Sequence, residues 1–404
     1  MKFAHLSDIH LGSWSAHPEL RELSFVAFEK AMNICIAENV DFIIIAGDLF
    51  DTSLPSIDIL RKATAVLRNV KEEGIRIYCV PGSHDYSPTG KTFVNVLEDA
   101  GLLTNIAKWT EEEGKIKLQF FIDKTGAKLC GMEGRMGGLE LGLFEKFNKD
   151  IENEEGFKIF VFHSGIQEFL PELLKEKMKV VPLELLPKKF NYYAAGHIHY
   201  THTEEYNGAK IIFPGPTFPT DLKELEEHKS GFFISEVNEE SIDTNFVPVR
   251  TKDVHAINVN ANGKSITKIE NEITDNIEMS YVKDKIVLVK IEGTLDSGKP
   301  SDIKFREIIS KSQEKGAYTT KKNTTKLKTK EFEEVEVAKN LSVAELEKEI
   351  IKKHLGQMNI WNKENEEKLV LALMSVFEDD KQEGETNYSF EERVKNNAMK
   401  VIGI

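Results

Sequence analysis

The sequence predicts a layered α/β domain over residues 1–245, a small α+β module over 246–332 and a helical segment over 333–404. Three observations predict this. In the first hundred residues, short apolar runs bounded by glycine or polar residues alternate with segments whose apolar residues recur every three or four positions. After residue 245 the composition shifts toward strand, helix and a Thr- and Lys-rich strand. Beyond the acidic stretch Glu331–Glu336 the helical period takes over.

The strand candidates come first. Phe3–Leu6, Phe42–Ala46 and Ile75–Val80 are apolar enough for a sheet covered on both faces. Between them, Pro18 suits a first helical position, and Leu20, Leu23, Ala27, Ala31 and Ile34 follow at helical spacing. Ile57, Leu60, Ala63, Leu67 and Val70 repeat the pattern, with Gly74 placed to cap the helix end. Further strands are predicted at Leu118–Ile122, Lys158–Phe162, Tyr192–Ala195, Lys210–Phe213 and Gly231–Ile234. The second module should contain a strand at Ile286–Leu295, a helix around Ile303–Ser312 and a strand within Tyr318–Lys330. Helices are predicted at Val343–Leu355 and Glu366–Phe377.

Composition bounds the function. A chain of 404 residues that is 40% apolar can bury a sizeable core. Lys2–Ser7 runs straight into an alternating segment without signal-peptide features, so a cytoplasmic protein is expected, nucleoid-associated if prokaryotic. The apolar run Phe42–Ala46 stops at Gly47-Asp48, far short of the ~20 residues of a membrane span, so no membrane partner is expected. Cys35, Cys79 and Cys130 lie apart in apolar contexts and read as buried thiols. A net charge of −14 excludes a surface coated in basic patches, so nucleic-acid binding would need local charge or metal ions.

The chemistry-bearing residues stand at predicted strand ends. Asp8 and His10 are two apart and share a side; Asp48 follows Gly47; His84 lies in Gly82-Ser83-His84-Asp85; His163 closes a strand; His197 and His199 follow Gly196. Loops at the carboxyl ends of strands in an open α/β sheet form its ligand crevice. Carboxylates and imidazoles without thiolates suit manganese, iron or a non-structural zinc, with ligands enough for two ions sharing Asp48. An ion pair ~3.5–4 Å apart serves phosphoester hydrolysis by clamping the attacking and leaving oxygens. A single histidine after a strand is more often a structural residue, and Gly-Asp is commonly a turn. The ordered set at successive strand ends is what points to metal.

That series, Asp8-Ile9-His10, Gly47-Asp48-Leu49-Phe50-Asp51, Gly82-Ser83-His84-Asp85, His163-Ser164-Gly165 and Gly196-His197-Ile198-His199, resembles the calcineurin-like metallophosphoesterases, with their two-sheet catalytic domain, across roughly residues 1–245. Ser7–Gly12, Ala46–Asp51 and Phe213-Pro214-Gly215-Pro216 most resemble the nuclease subunit of the double-strand-break repair nuclease/SMC-like ATPase complex, which includes bacterial SbcD. The resemblance implies an exonuclease and endonuclease with two Mn2+ per chain. One ion would be held by Asp8, His10, Asp48 and His199, the other by Asp48, Ser83, His163 and His197. His84 would serve the leaving group. Ser83 stands where the family has asparagine, and Asp51 where some members have histidine. Asp85 either orients His84 or caps its loop.

The resemblance makes residues 246–332 a DNA-capping domain and 333–404 an ATPase-binding region. Lys321, Lys322 and Lys326, in a basic stretch with Lys315, Lys328 and Lys330, would contact phosphate, or else guard an edge strand. His17 would face DNA at the rim, or simply stand exposed before Pro18. Leu369, Leu373, Met374 and Phe377 would grip the partner's coiled coil, or else pack on their own domain. A homodimer through helices near Ile57–Val70 and Lys91–Ala100 is also implied. The rival readings are a small-molecule or nucleotide phosphodiesterase, and a scaffold for the ATPase with a weakened metal site.

Overall fold

The computed structural model describes residues 1–87, 90–171, 178–227, 229–239, 241–330, 351, 363–377, 379–382 and 385–402. The chain divides into two compact units. One comprises Met1–Ile257, Asp275–Lys290 and Arg306–Asn323; the other comprises Asn258–Thr274, Ile291–Phe305 and Thr324–Ile404.

The first unit holds, in chain order, β1 (Lys2–Leu6), α1 (Pro18–Ala37), β2 (Phe42–Ala46), α2 (Ile57–Glu72), β3 (Arg76–Val80), α3 (Phe93–Asp99), β4 (Thr104–Asn105), β5 (Trp109–Glu112), β6 (Lys115–Leu118), β7 (Phe121–Ile122), β8 (Lys128–Met132), α4 (Leu141–Phe144), β9 (Lys158–His163), β10 (Tyr192–Gly196), β11 (His202–Tyr206), β12 (Ala209–Phe213), α5 (Leu222–Glu227), β13 (Gly231–Val237) and β14 (Ile242–Pro248). Two six-stranded sheets result, ordered β14-β13-β1-β2-β3-β4 and β11-β12-β10-β9-β8-β7. The strands that bear the candidate ligands run parallel within each sheet, β1 to β2 to β3 in one and β9 to β10 in the other. Their carboxyl ends therefore lie at one edge of each sheet.

Strand alternation builds the core in layers. Phe42, Ile44 and Ala46 of β2 join Phe3, Val161 and Tyr192 in one buried cluster, to which both sheets contribute. Ile43 and Ile45, on the opposite face, pack with Phe28, Ala63 and Leu67 of α1 and α2. The second sheet's other face is covered by an aromatic cluster that includes Phe144, Phe160, Phe162 and Phe213. Phe3 stacks on Phe42 at 5.2 Å between ring centroids and meets Tyr192 edge-on at 5.0 Å. Burial of each such side chain stabilises by about 1.5–3 kcal/mol. Pro18 opens α1, and Gly74, at φ 78°, follows the cap residue of α2 as the helical period requires.

The remaining elements are β15 (Val254–Asn260), α6 (Ile266–Met279), β16 (Ile286–Leu295), α7 (Phe305–Glu314), β17 (Thr319–Asn323), β18 (Leu327–Thr329), α8 (Lys363–Phe377) and α9 (Asn387–Ile402). Within the first unit β16 pairs in parallel with β17, Ile286 opposite Thr319. Within the second, Gly293 of β16 stands opposite Leu327 of β18, and α8 lies against α9.

Several expectations need correction. Leu118–Ile122 is not one strand: β6 ends at Leu118 and β7 begins at Phe121, because β6 belongs to a hairpin with β5, closed by Glu113 and Gly114, both at positive φ. Tyr318–Lys330 forms two short strands separated by a turn in which Leu327 N–H donates to the Thr324 carbonyl. The strands β4, β5, β8, β11, β14 and β15 and the helices α4, α5, α6 and α9 were not anticipated. β11 and β14 are edge strands with largely exposed polar residues, which carry little apolar alternation. The expected helix at 343–355 lies outside the described residues, Ile351 excepted. The three cysteines are buried and unpaired, as their contexts imply. Among the described residues no helix is long and apolar enough to cross a membrane.

Candidate metal centre

The loops that follow β1 and β2 are zipped together by backbone hydrogen bonds: Asp8 N–H donates to Gly47 O, His10 N–H to Asp48 O and Leu11 N–H to Leu49 O. That zipper turns the backbone sharply. Asp8 (φ 51°), His10 (φ 47°), Asp48 (φ 52°) and His197 (φ 91°) all lie in the left-handed region that residues bearing a Cβ rarely adopt. The glycines before two of them have steric reasons. A Cβ on Gly47 would lie 2.2 Å from His163 Nδ1, and one on Gly196 would lie 2.1 Å from the Ala46 carbonyl oxygen. Both glycines let the two sheets' strand ends approach.

Asp8, His10, Asp48 and His163 are almost fully buried. Their ligand atoms form three overlapping groups, Asp8-His10-His199, Asp8-Asp48-His163 and His10-Asp48-His84, each within 4.8 Å and each able to hold a metal ion. Backbone donors fix the carboxylates: His197 N–H donates to Asp8 Oδ1 and His84 N–H to Asp48 Oδ1. The imidazoles are fixed from behind. His163 Nδ1 donates to the Ala46 carbonyl at 2.8 Å and His84 Nδ1 to the Asp51 carbonyl at 2.8 Å. His199 Nδ1 donates to Glu224 Oε1 at 2.8 Å. Each Nε2 is thereby left to face the cluster or the cleft, the arrangement that sets the tautomer of a metal-binding histidine.

The ring nitrogens then meet each other. His10 Nε2 lies 3.1 Å from His199 Nε2, and His197 Nδ1 lies 3.3 Å from His163 Nε2. Lone pairs converging in this way repel unless a cation or proton sits between them. Two donors held at right angles ~2.1 Å from one ion stand ~3 Å apart, so these separations fit divalent metal.

The electrostatics agree. Burial disfavours charge on His163, yet the Asp48 and Asp8 carboxylates outweigh it and raise the imidazole to about 10. Burial likewise opposes charge on His199, and Glu224 and Asp8 overcome it, raising that ring to about 9. His197 is pushed down to about 4 by burial and by the neighbouring His163. Asp48, despite burial, is held well below the usual carboxylate range by His163 and His10. The cluster draws positive charge into a largely buried place at the floor of a cleft.

The structure brings together Asp8, His10, Asp48, His84, His163, His197 and His199 in one unit, with Ser83 buried beside them. Asp51 places its carboxylate 3.3 Å from His10 Nδ1. Asp85 does not touch the His84 ring; its carboxylate accepts the backbone N–H groups of Leu49, Phe50 and Gly82, so it caps the two loops. Lys321 is also corrected: it is buried, ion-paired with Glu19, and its ammonium donates to His17 Nδ1 at 3.0 Å. Neither Lys321 nor His17 thus stands simply exposed. Lys326 is exposed and pairs with Glu292 at 3.5 Å. Leu369, Leu373 and Met374 are half-buried on α8, while Phe377 is exposed. Sequence reasoning missed Glu224 and Thr220, which hold His199 from α5 and the loop before it. The pattern Thr220-x-x-x-Glu224, in which Glu224 accepts the N–H of Thr220, was the available signal.

Residues 1–201 match the family model of the calcineurin-like phosphoesterases, so the chain carries a metallophosphoesterase domain over that span, with a cluster of ligands fit for divalent metal. In sequence it is 26% identical over 305 residues to the DNA double-strand break repair protein Mre11 of Sulfolobus acidocaldarius, covering 73% of this chain and 76% of that protein. The protein of the same name from Sulfurisphaera tokodaii is 25% identical and aligns with 99% of this chain and 96% of its own length. That from Archaeoglobus fulgidus is 25% identical, over 70% of this chain and 65% of its own length.

Proposed function

We propose that the chain is a manganese-dependent DNA nuclease, acting as exonuclease and endonuclease at double-strand breaks in partnership with an SMC-like coiled-coil ATPase. The observation that carries this is the convergence of Asp8, Asp48 and the imidazoles of His10, His163, His197 and His199 at the ends of parallel strands, in a chain similar along its length to DNA double-strand break repair proteins. Asp8, His10, Asp48 and His199 would hold one ion, and Asp48, Ser83, His163 and His197 the other. Bound ions would neutralise the charge of a phosphodiester and activate water toward it. His84 is assigned to the leaving group. Its Nδ1 proton is committed to Asp51 O, so its exposed Nε2 is the atom that passes a proton to a departing alkoxide.

Lys322 and Lys326 are assigned to DNA phosphate, and Leu369, Leu373, Met374 and Phe377 to the ATPase. Dimerisation is assigned to α2 and α3, supported by the exposed apolar side chains of Leu54, Ile57 and Val96. The test is cleavage of labelled single- and double-stranded DNA by the purified chain in manganese, beside His84→Ala, Asp48→Asn (which keeps the left-handed backbone and the acceptor for His84 N–H) and a nucleotide diester. Both variants should lose at least about 100-fold in rate while melting near the wild-type temperature. Hydrolysis of the nucleotide diester with none of DNA would replace the proposal by a small-molecule phosphodiesterase.

A further inference from the structure

A second cavity of about 980 Å³ adjoins the cleft over the metal centre, and Tyr86, Arg135 and Met136 line both. Its walls combine Trp109 of β5 with Arg135, the exposed apolar side chains Met136 and Leu139, and Lys108 and Lys117. Two planar groups there are pinned by one buried carboxylate. Glu133, 2% exposed, accepts Trp109 Nε1–H on one oxygen at 3.2 Å and Arg135 Nη2–H on the other at 2.8 Å. The backbone of Arg135 is anchored in turn, its N–H donating to buried Glu140. An indole and a guanidinium held in fixed orientation lose little freedom when a flat ring stacks against them.

We infer that this cavity receives an unpaired nucleobase of the strand whose phosphodiester lies at the metal centre. The inference rests on the nuclease reading for the identity of that strand. Because three residues line both spaces, a strand lying in the cleft passes within reach of the cavity. Aromatic and arginine faces beside lysines are the recognition chemistry of single-stranded nucleic acid. The volume suits a small-molecule-sized group and is far too small for a duplex, so the entering strand is single.

The test measures binding rather than turnover. A short labelled DNA strand with cleavage-resistant phosphorothioate links, and the same strand with its bases removed, are titrated into the full chain by fluorescence anisotropy. The intact strand binds tighter by roughly 5- to 150-fold per stacked base. Trp109→Ala abolishes that preference, and Trp109→Phe, which keeps a stacking face, retains most of it and guards against misfolding. Equal binding of the two strands by the wild type, or a preference that survives Trp109→Ala, overturns the inference. DNA cleavage without base preference would overturn the pocket and leave the nuclease reading standing. Base-dependent binding without DNA cleavage would support the pocket and refute the nuclease.

Discussion

The carboxylate of Glu224, 25 residues past His199, accepts from His199 Nδ1 and also from Thr220 N–H and Oγ1, so the ring it orients is held by a partner that is itself fixed. Removing the charge while keeping the shape, Glu224→Gln, should weaken manganese binding by about 10- to 100-fold in a calorimetric titration, with DNA cleavage recovering at saturating metal. Unchanged affinity would reduce Glu224 to a helix-end residue. The contrast with Asp8, Asp48 and His163 explains what was legible in the sequence. Those residues follow apolar strands directly, and a strand end fixes where its next side chain goes. Glu224 and Glu133 act across space from other elements, through contacts that local periodicity does not encode. Asp85 was ambiguous for the same reason: which N–H groups it would meet depended on how closely two loops approached.

At the scale of the element, β1 carries one fully buried residue that departs from its apolar pattern. His5 is fully buried and its Nδ1 lies 3.1 Å from the Tyr192 hydroxyl on the neighbouring sheet. Burial pushes its pKa from 6.5 down to about 3, so the folded state holds it neutral. The unfolded chain binds a proton below about 6.5 and the folded chain does not. The stability from this group is therefore complete above that pH and is lost as pH falls toward 3. Between pH 7 and pH 5 the loss is about 2 kcal/mol. Urea midpoints at the two pH values should converge for His5→Phe relative to wild type, and an equal shift in both proteins would exclude His5 as the cause. Elements with strong periods, β2, α1 and α2, were legible because their burial is one-sided or total. The edge strands β11 and β14 were not, because edges are exposed and need no apolar alternation.

For the whole molecule, a net charge of −14 makes association of two copies unfavourable at long range, so the proposed dimer must be held by apolar contact. Ile57 is 85% exposed and Leu54 74%, an unusual cost for a monomer. Ile57→Lys should halve the mass seen by sedimentation, and a wild type that sediments as a monomer would remove the dimer from the proposal. One feature of the metal centre bears on the chain's history. Four of its side chains hang from backbone that only glycine, asparagine, aspartate and histidine enter readily. Most replacements there would be eliminated for misfolding before their effect on chemistry counted. The substitutions open to drift at Asp8 or Asp48 are thus those that keep the bend and lose the charge, so a descendant of this protein would become inert while still looking like an enzyme.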